Sequence, residues 1–247
     1  MTNNYDQTTA FHYSIYRPSL HFIILKECLE HENICSLGLD VGCGTGQSSI
    51  ALTRFCNNVV GIEPSKEMLH KAIYHPRIEY KYYNKENFTF PNDYFDVITF
   101  AGSLFYAKSQ ALLNEVVRVS KNSSRIVIYD FELSLDWILE KLNLKRSHHQ
   151  NSSYDHQIDF NELYDKPIRI KGRFTNNIPL EISLKNLSHL LLSSREHYYL
   201  LLKTFGQDNL YNELLKKLYS TFTTATIVIN ATTFSTVYQN IKKESKY

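Results

Sequence analysis

The stretch SLGLDVGCGTGQSSIAL, residues 36–52, restricts the possible folds more than any other part of this chain. An apolar run ends in Asp40 and Val41, and three alternating glycines follow, Gly42, Gly44 and Gly46. A helical pattern begins straight after them. Glycine permits positive φ and lets a ligand approach the backbone without meeting a Cβ. A buried strand that turns through such glycines into a helix cradles nucleotide cofactors in open α/β sheets, where ligands lie outside the carboxyl ends of the strands.

The neighbouring sequence repeats this strand-then-helix rhythm. A helix is expected over 19–34, a strand over 36–41, a helix from Thr45 to Cys56, and a second strand over 58–63. Ser65 is a plausible N-cap for the helix SKEMLHKAIY. Strands at 78–84 and 94–102, a helix at 109–120 with Leu112, Leu113, Val116 and Val117 on one face, and a strand at 125–132 complete the series. Such alternation predicts βαβ units and a parallel sheet covered on both faces.

After residue 132 the rhythm stops. A helix containing the only tryptophan (LDWILEKL), a polar stretch (KRSHHQNSSYDHQ), two strands (IRIKGRF and LEISL) and two helical patterns (NLSHLLLSSREHYYLLLKTF and NLYNELLKKLYS) are expected. Two β-branched runs, TIVIN and TFSTVYQNI, then return the chain to the sheet. The expected organisation is a core over 1–132, an inserted lid over 133–222 that sets specificity, and closing strands over 223–247. The expected fold class is α/β, a doubly wound, mostly parallel sheet with the lid after strand 5.

The glycine spacing separates the candidate cofactors. Gln47 stands where a dinucleotide G-x-G-x-x-G turn would carry its third glycine. Asp40 beside the turn disfavours a pyrophosphate and suits a sulfonium with a free amino group. Glu63 ends the second strand, 21 residues after Gly42, the spacing of a carboxylate that accepts hydrogen bonds from ribose hydroxyls. Its charge would repel a 2′-phosphate.

On these residues the chain resembles the class I S-adenosylmethionine-dependent methyltransferases, in the small-molecule branch that includes trans-aconitate methyltransferase-like proteins. LDVGCGTGQSS looks like the family's first motif and VVGIEPSKEML its second; NKENFTFPNDYFDVITF is similar to the segment leading into the fourth strand. LLNEVVRVSKNSSRIVIYD resembles the helix and strand that follow, and YSIYRP an N-terminal element that folds over the cofactor. The resemblance spans roughly residues 11–132. Carried by the glycine turn and Glu63, it implies that the sheet is Rossmann-like with seven strands, the last antiparallel. It also implies S-adenosylmethionine as cofactor, held by Asp40, Gly42, Cys43, Gly44, Gly46, Glu63 and Pro64, with Met68 on the adenine face. Asn84 and Lys85 would meet the adenine edge, and Ala101 would lie beside the methionine part. The chain departs from the pattern at Asn84, which replaces an acid, at Asn122-Ser123-Ser124, which replace Pro-Gly-Gly, and at Ser19-Leu20, which replace Tyr-Pro.

A sulfonium methyl is already activated, so aligning an acceptor and removing its proton suffices, and no conspicuous catalytic motif is required. Candidate catalytic residues are Tyr13, Arg17 and Tyr106. His12, Tyr16, Ser103, His148, His149, His156, Tyr198 and Tyr199 are further candidates for the acceptor site. The acceptor is expected to be a small molecule with an O or N nucleophile, a carboxylate among the options. FAGSLFY after the fourth strand lacks the Asn/Asp-Pro-Pro-aromatic signature of nucleobase amino methylation. A net charge of +2 gives no nucleic-acid footprint, no apolar run is long enough for a membrane span, and no secretory leader is visible, so a cytoplasmic location is expected. The four cysteines form no C-x-x-C pair, and no metal site is expected. Two rival readings remain: an NAD-dependent oxidoreductase on a similar sheet, and a non-catalytic protein that binds S-adenosylmethionine or S-adenosylhomocysteine.

Overall fold

The computed structural model describes residues 7–30, 33–84, 88–144, 154–164 and 167–242. Among them run the strands β1 (Cys35–Val41), β2 (Cys56–Glu63), β3 (Ile78–Tyr82), β4 (Phe95–Ala101), β5 (Ser120–Leu133), β6 (Ile168–Ser183) and β7 (Thr226–Asn240). They form one seven-stranded sheet in the order β3-β2-β1-β4-β5-β7-β6. β1 pairs in parallel with β2 on one side and β4 on the other, β2 with β3, and β4 with β5. β7 is antiparallel to β6: Ile241 N–H donates to Pro167 O, and Thr233 Oγ1 reaches Asn176 O, in opposite chain order. The chain winds away from β1 in both directions, so the carboxyl ends of β1 and β4 flank a topological switch point, the place such sheets reserve for ligands. Leu39, Val60, Ile62, Ile98, Phe100, Ile126 and Ile128 are buried, the apolar runs expected of strands covered on both faces.

Nine helices accompany these strands among the described residues: α1 (Gln7–Ile15), α2 (His21–Leu29), α3 (Gln47–Leu52), α4 (Lys66–His70), α5 (Gln110–Val119), α6 (Asp136–Lys141), α7 (Leu184–Leu192), α8 (Arg195–Phe205) and α9 (Leu210–Thr221). Ser109 caps α5 through Leu112 N–H at 3.1 Å, and Leu112, Leu113, Val116 and Val119 face the core. Each fully buried Leu or Val of that face contributes roughly 1.5–3 kcal/mol. The polar edge of α5 has a different task. Arg118 clasps Glu115 with two hydrogen bonds of 2.8 Å and also donates to Phe88 O, Phe90 O and Asn92 Oδ1. Glu115 in turn accepts Phe88 N–H at 2.8 Å, so α5 grips the backbone that leads into β4.

The structure corrects several sequence expectations. The two strands expected near 168–174 and 180–184 are one, β6, which continues through the exposed run Thr175 to Asn177 and keeps its alternation on either side. β6 ends the sheet order, and an edge strand tolerates a proline without a ladder N–H. The closing runs are likewise one strand, β7, because Ala231 and Thr232 keep its alternation. The long helical pattern 186–205 breaks at Ser193-Ser194 into α7 and α8. α3 and α4 are shorter than expected: Thr53 Oγ1 turns back to Ile50 O, and Ile73 N–H donates to Thr45 O, tying the chain after α4 to the glycine turn.

The chain divides into two compact units. The first comprises residues 1–18, 133–151 and 177–232; the second comprises 19–132, 152–176 and 233–247. Unit 1 has its own core, with Leu135, Ile138, Leu184, Leu187, Leu214 and Leu218 buried. In unit 2 the core is formed by the sheet strands, α5 and Phe160. The sequence expectation groups residues 1–18 with the core and 152–176 with the lid, whereas by compactness the first group with unit 1 and the second with unit 2.

Candidate functional site

The glycine turn lies at the carboxyl end of β1 in unit 2. Gly42, Gly44 and Gly46 all adopt positive φ, at +72°, +55° and +90°. Their surroundings differ. A Cβ on Gly42 would lie 2.5 Å from Ser103 Cβ, and one on Gly46 would lie 2.0 Å from the Tyr80 hydroxyl. At Gly44 a Cβ would meet nothing within 4 Å. Two glycines therefore serve packing, while the middle one presents bare backbone to open space.

Glu63 fixes this turn from β2. Its Oε2 accepts Gly44 N–H at 3.0 Å and its Oε1 accepts Ser65 N–H at 2.9 Å. Each oxygen keeps a second lone pair. Ser65 caps α4 through Met68 N–H at 3.3 Å, which sets the half-buried Met68 one turn beyond the carboxylate, and Pro64 lies between them. Asp40 is fully buried, its Oδ2 accepting the hydroxyls of Ser48 (2.6 Å) and Ser49 (2.7 Å) and its Oδ1 that of Thr99 (2.9 Å). Burial raises its pKa, and the three hydroxyl donors oppose that rise. Asp40 thus braces α3 and β4 beneath the turn, and this hydroxyl set was not read from the sequence.

Cys43 is buried, and its thiol is pushed well above the ordinary range by burial and then by the charges of Asp40 and Glu63. It packs where Gly61 leaves room, since a Cβ there would come 2.9 Å from its sulfur. Asn84 is exposed just past β3, and Lys85 lies outside the described residues. Ala101 ends β4.

Beyond Ala101 the carboxyl ends of β4 and β5 carry a polar cluster. Gly102 N–H donates to Tyr129 O at 2.8 Å. The Tyr154 hydroxyl lies 2.9 Å from Gly102 O and 2.8 Å from Asp130 Oδ2, and its single proton serves one of them. His156 Nδ1 is 2.9 Å from the same Asp130 oxygen, and Asp130 Oδ1 accepts Phe131 N–H at 2.8 Å. The hydrogen bond to Asp130 raises the His156 pKa, against the effect of burial; the charges of Asp130, Glu132 and Asp155 add to the rise. Phe105, Tyr106 and Tyr154 form an aromatic rim, with Tyr106 exposed. Asp130 and Tyr154 were missed in the sequence because one is hidden at the end of a strand pattern and the other in a polar stretch.

The remaining candidates are in unit 1 or undescribed. Tyr13 is on α1, its side chain outside the described set, and Arg17 is half-buried after α1. His12 is buried with Nδ1 2.9 Å from His189 Nδ1, and Tyr211 stacks on it. Burial and then His189 push its pKa down to about 4. Tyr16 and Tyr198 pack against the core of unit 1, Tyr199 is exposed, and His148 and His149 lie outside the described residues. A cavity of about 280 Å³ lined by Phe22, Leu29, Arg54 and Phe55 opens beside Cys35, at the amino end of β1 and away from this chemistry. No described helix is long and apolar enough to cross a membrane.

Residues 39–128, from β1 to β5, match the family model described as a methyltransferase domain. Over this stretch the chain is similar to methyltransferase domains. It is 26% identical over 118 residues to a candidate methyltransferase of Dictyostelium discoideum and 30% identical over 111 residues to the methyltransferase YcgJ of Bacillus subtilis. These matches cover 48% and 42% of this chain, and 44% of each relative. The chain thus spans less than half the length of these curated relatives. The solved structure of a candidate type II methyltransferase from Anaeromyxobacter dehalogenans aligns with a TM-score of 0.62 at 17% identity, over 92% of this chain and 98% of that one. Geranyl diphosphate methyltransferase, solved in complex with S-adenosylmethionine, aligns at 0.52 and 11% identity, over 97% of this chain and 93% of that one. The cyclase SpnF also aligns, at 0.52 and 14%, over 91% of this chain and 81% of that one. At these identities the likeness is one of fold, and the fold alone does not fix the chemistry.

Proposed function

We propose that this protein transfers a methyl group from S-adenosylmethionine to a small-molecule acceptor. The observation that carries the reading is Gly44: its positive φ, open face and N–H bonded to Glu63 make a cradle that a side chain would fill. The residues present fit this cofactor. Glu63 retains lone pairs for the ribose hydroxyls, Met68 stands near for the adenine face, and Asn84 and Lys85 follow β3 for the adenine edge. Gly42 to Gly46 and Ala101 border the space for the methionine part, and Asp40 holds the turn in shape from below. When bound, the cofactor supplies an electrophilic methyl group. The chain's own work is to align an acceptor beside it, worth up to ~7–11 kcal/mol of barrier, and to take a proton where the acceptor carries one.

Thermal unfolding with S-adenosylmethionine, S-adenosylhomocysteine, NAD and NADP in parallel tests the cofactor. A ligand at a hundred times its Kd adds ~2.7 kcal/mol, roughly 5–10 °C for a chain of this size. The expected result is a shift with the two sulfur compounds only. A shift with NAD alone would sink the reading.

A further inference from the structure

Building on the methyl-transfer reading, we propose that His156 takes the proton from the acceptor and that Asp130 positions it. The acceptor is then a small uncharged molecule with a nucleophilic O–H or N–H group rather than a carboxylate. The argument rests on where the pair sits. Asp130 follows Tyr129, the β5 partner of Ala101. A Cβ on Gly102 would lie 3.2 Å from Asp130 Oδ1 and 3.3 Å from the Tyr154 hydroxyl. The next residue, Ser103, packs on Gly42 and donates to Val41 O. The turn that cradles the cofactor and the Asp130–His156 pair are thus joined through two consecutive residues.

The hydrogen bond from Nδ1–H to Asp130 fixes the neutral tautomer and leaves Nε2 as the basic atom. Phe234 lies parallel to the ring at 6.2 Å, and Tyr154 meets it edge-on at 4.7 Å. In the transfer, the acceptor oxygen or nitrogen bonds to the methyl carbon while the carbon–sulfur electron pair stays on sulfur. The acceptor's proton moves to Nε2, and Asp130 stabilises the resulting imidazolium. A cavity of about 80 Å³ beside His156 has room for one or two waters to carry that proton away.

A carboxylate acceptor is already deprotonated and gives such a base nothing to do. The charges around His156 also disfavour an anion: Asp130 and Glu132 on β5 and Asp155 beside it are acidic. Arg173 of β6, across the small cavity, is committed to Asp159 at 2.8 Å. The aromatic rim of Phe105, Tyr106 and Tyr154 favours a flat, weakly polar acceptor.

The test uses the full chain and three readouts. Histidine-selective NMR should show Nδ1 protonated in the neutral ring and a His156 titration above the ordinary value of about 6.5. That titration should fall toward 6.5 in Asp130→Asn. Calorimetry should find S-adenosylhomocysteine affinity within about twofold of the parent in His156→Gln, because the pair does not hold the cofactor. Formation of S-adenosylhomocysteine is then followed with simple phenols, aliphatic alcohols, amines and carboxylic acids. His156→Gln should lower kcat/KM on the order of 100-fold or more. In Asp130→Asn the rising limb of the pH profile should move to lower pH. His156→Gln that transfers as fast as the parent, transfer to carboxylic acids alone, or a His156 titration indifferent to Asp130→Asn overturns the proposal. Failure of the parent protein to bind either sulfur compound overturns the methyl-transfer reading instead, and the NMR arm still decides whether Asp130 controls His156.

Discussion

Replacing Gly44 by alanine separates stability from cofactor binding. At φ +55° an L-residue costs about 1–2 kcal/mol, and the stiffer unfolded chain returns about 0.4–1 kcal/mol of that. The added methyl meets no protein atom within 4 Å, so no clash term is added. The net loss is on the order of 1 kcal/mol, which for a chain of this size lowers the Tm by roughly 2–4 °C. Binding should suffer far more. The methyl projects into the space assigned to the cofactor and pushes it off Glu63, where each hydrogen bond to a carboxylate is worth about 1.5–3 kcal/mol. Losing one or both weakens S-adenosylmethionine binding on the order of 100-fold. Gly46→Ala is the control: its Cβ would meet the Tyr80 hydroxyl at 2.0 Å, so stability falls whether or not ligand is present. Thermal scans of the unliganded variants and isothermal titration with S-adenosylmethionine read the two effects apart. Gly44→Ala binding within twofold of the parent would refute the claim that this open face meets the cofactor.

Three further outcomes are expected. Glu63→Ala should lower S-adenosylmethionine affinity at least tenfold and also loosen Gly44 and Ser65, whose N–H groups it accepts; unchanged affinity by titration removes the ribose assignment. The buried His12, with a folded pKa of about 4 against an ordinary 6.5, contributes stability that is present above pH 6.5 and lost as pH falls toward 4. At pH 5 the loss is about 2 kcal/mol, and denaturant melts of His12→Gln should lack that increment; an identical pH slope in both proteins contradicts it. Cys43, its thiol raised by burial and by Asp40 and Glu63, should stay unmodified by iodoacetamide in the native protein at neutral pH, as mass spectrometry would show.

The start of the sheet was legible because β1, β2 and β4 are largely apolar runs of seven or eight residues, and Ser65 caps α4 where the sequence puts it. Beyond residue 132 the same rules misled. Breaks were inferred at Asn176-Asn177-Pro179 and at Ala231-Thr232, yet pairing at the sheet edge carries both strands through. A helix was read through Ser193-Ser194, where the backbone turns. Within the site, the glycines and Glu63 announce themselves by spacing. The bracing of Asp40 by Thr99 joins residues 59 apart, and the meeting of Asp130 with His156 spans 26, contacts that exist only once β5 and the segment after residue 152 are in place. Tyr13 and Arg17 belong to the first compact unit and were singled out by the family resemblance rather than by local chemistry.

The grip of Arg118 on residues 88–92 has a bearing on how variants of this protein would be interpreted. Its guanidinium spreads over two carbonyls, an amide side chain and a carboxylate that itself holds Phe88 N–H. A lysine has neither the planar fork nor enough fixed donors to replace it. The backbone so anchored emerges just after Asn84 and Lys85, the pair assigned to the adenine edge. In a mutational screen scored on cofactor affinity, a hit at Arg118 would therefore look like a ligand-contact residue while sitting on a helix to which no cofactor contact is assigned, and its signature would be inherited through Phe88 and Phe90 rather than through the nucleoside.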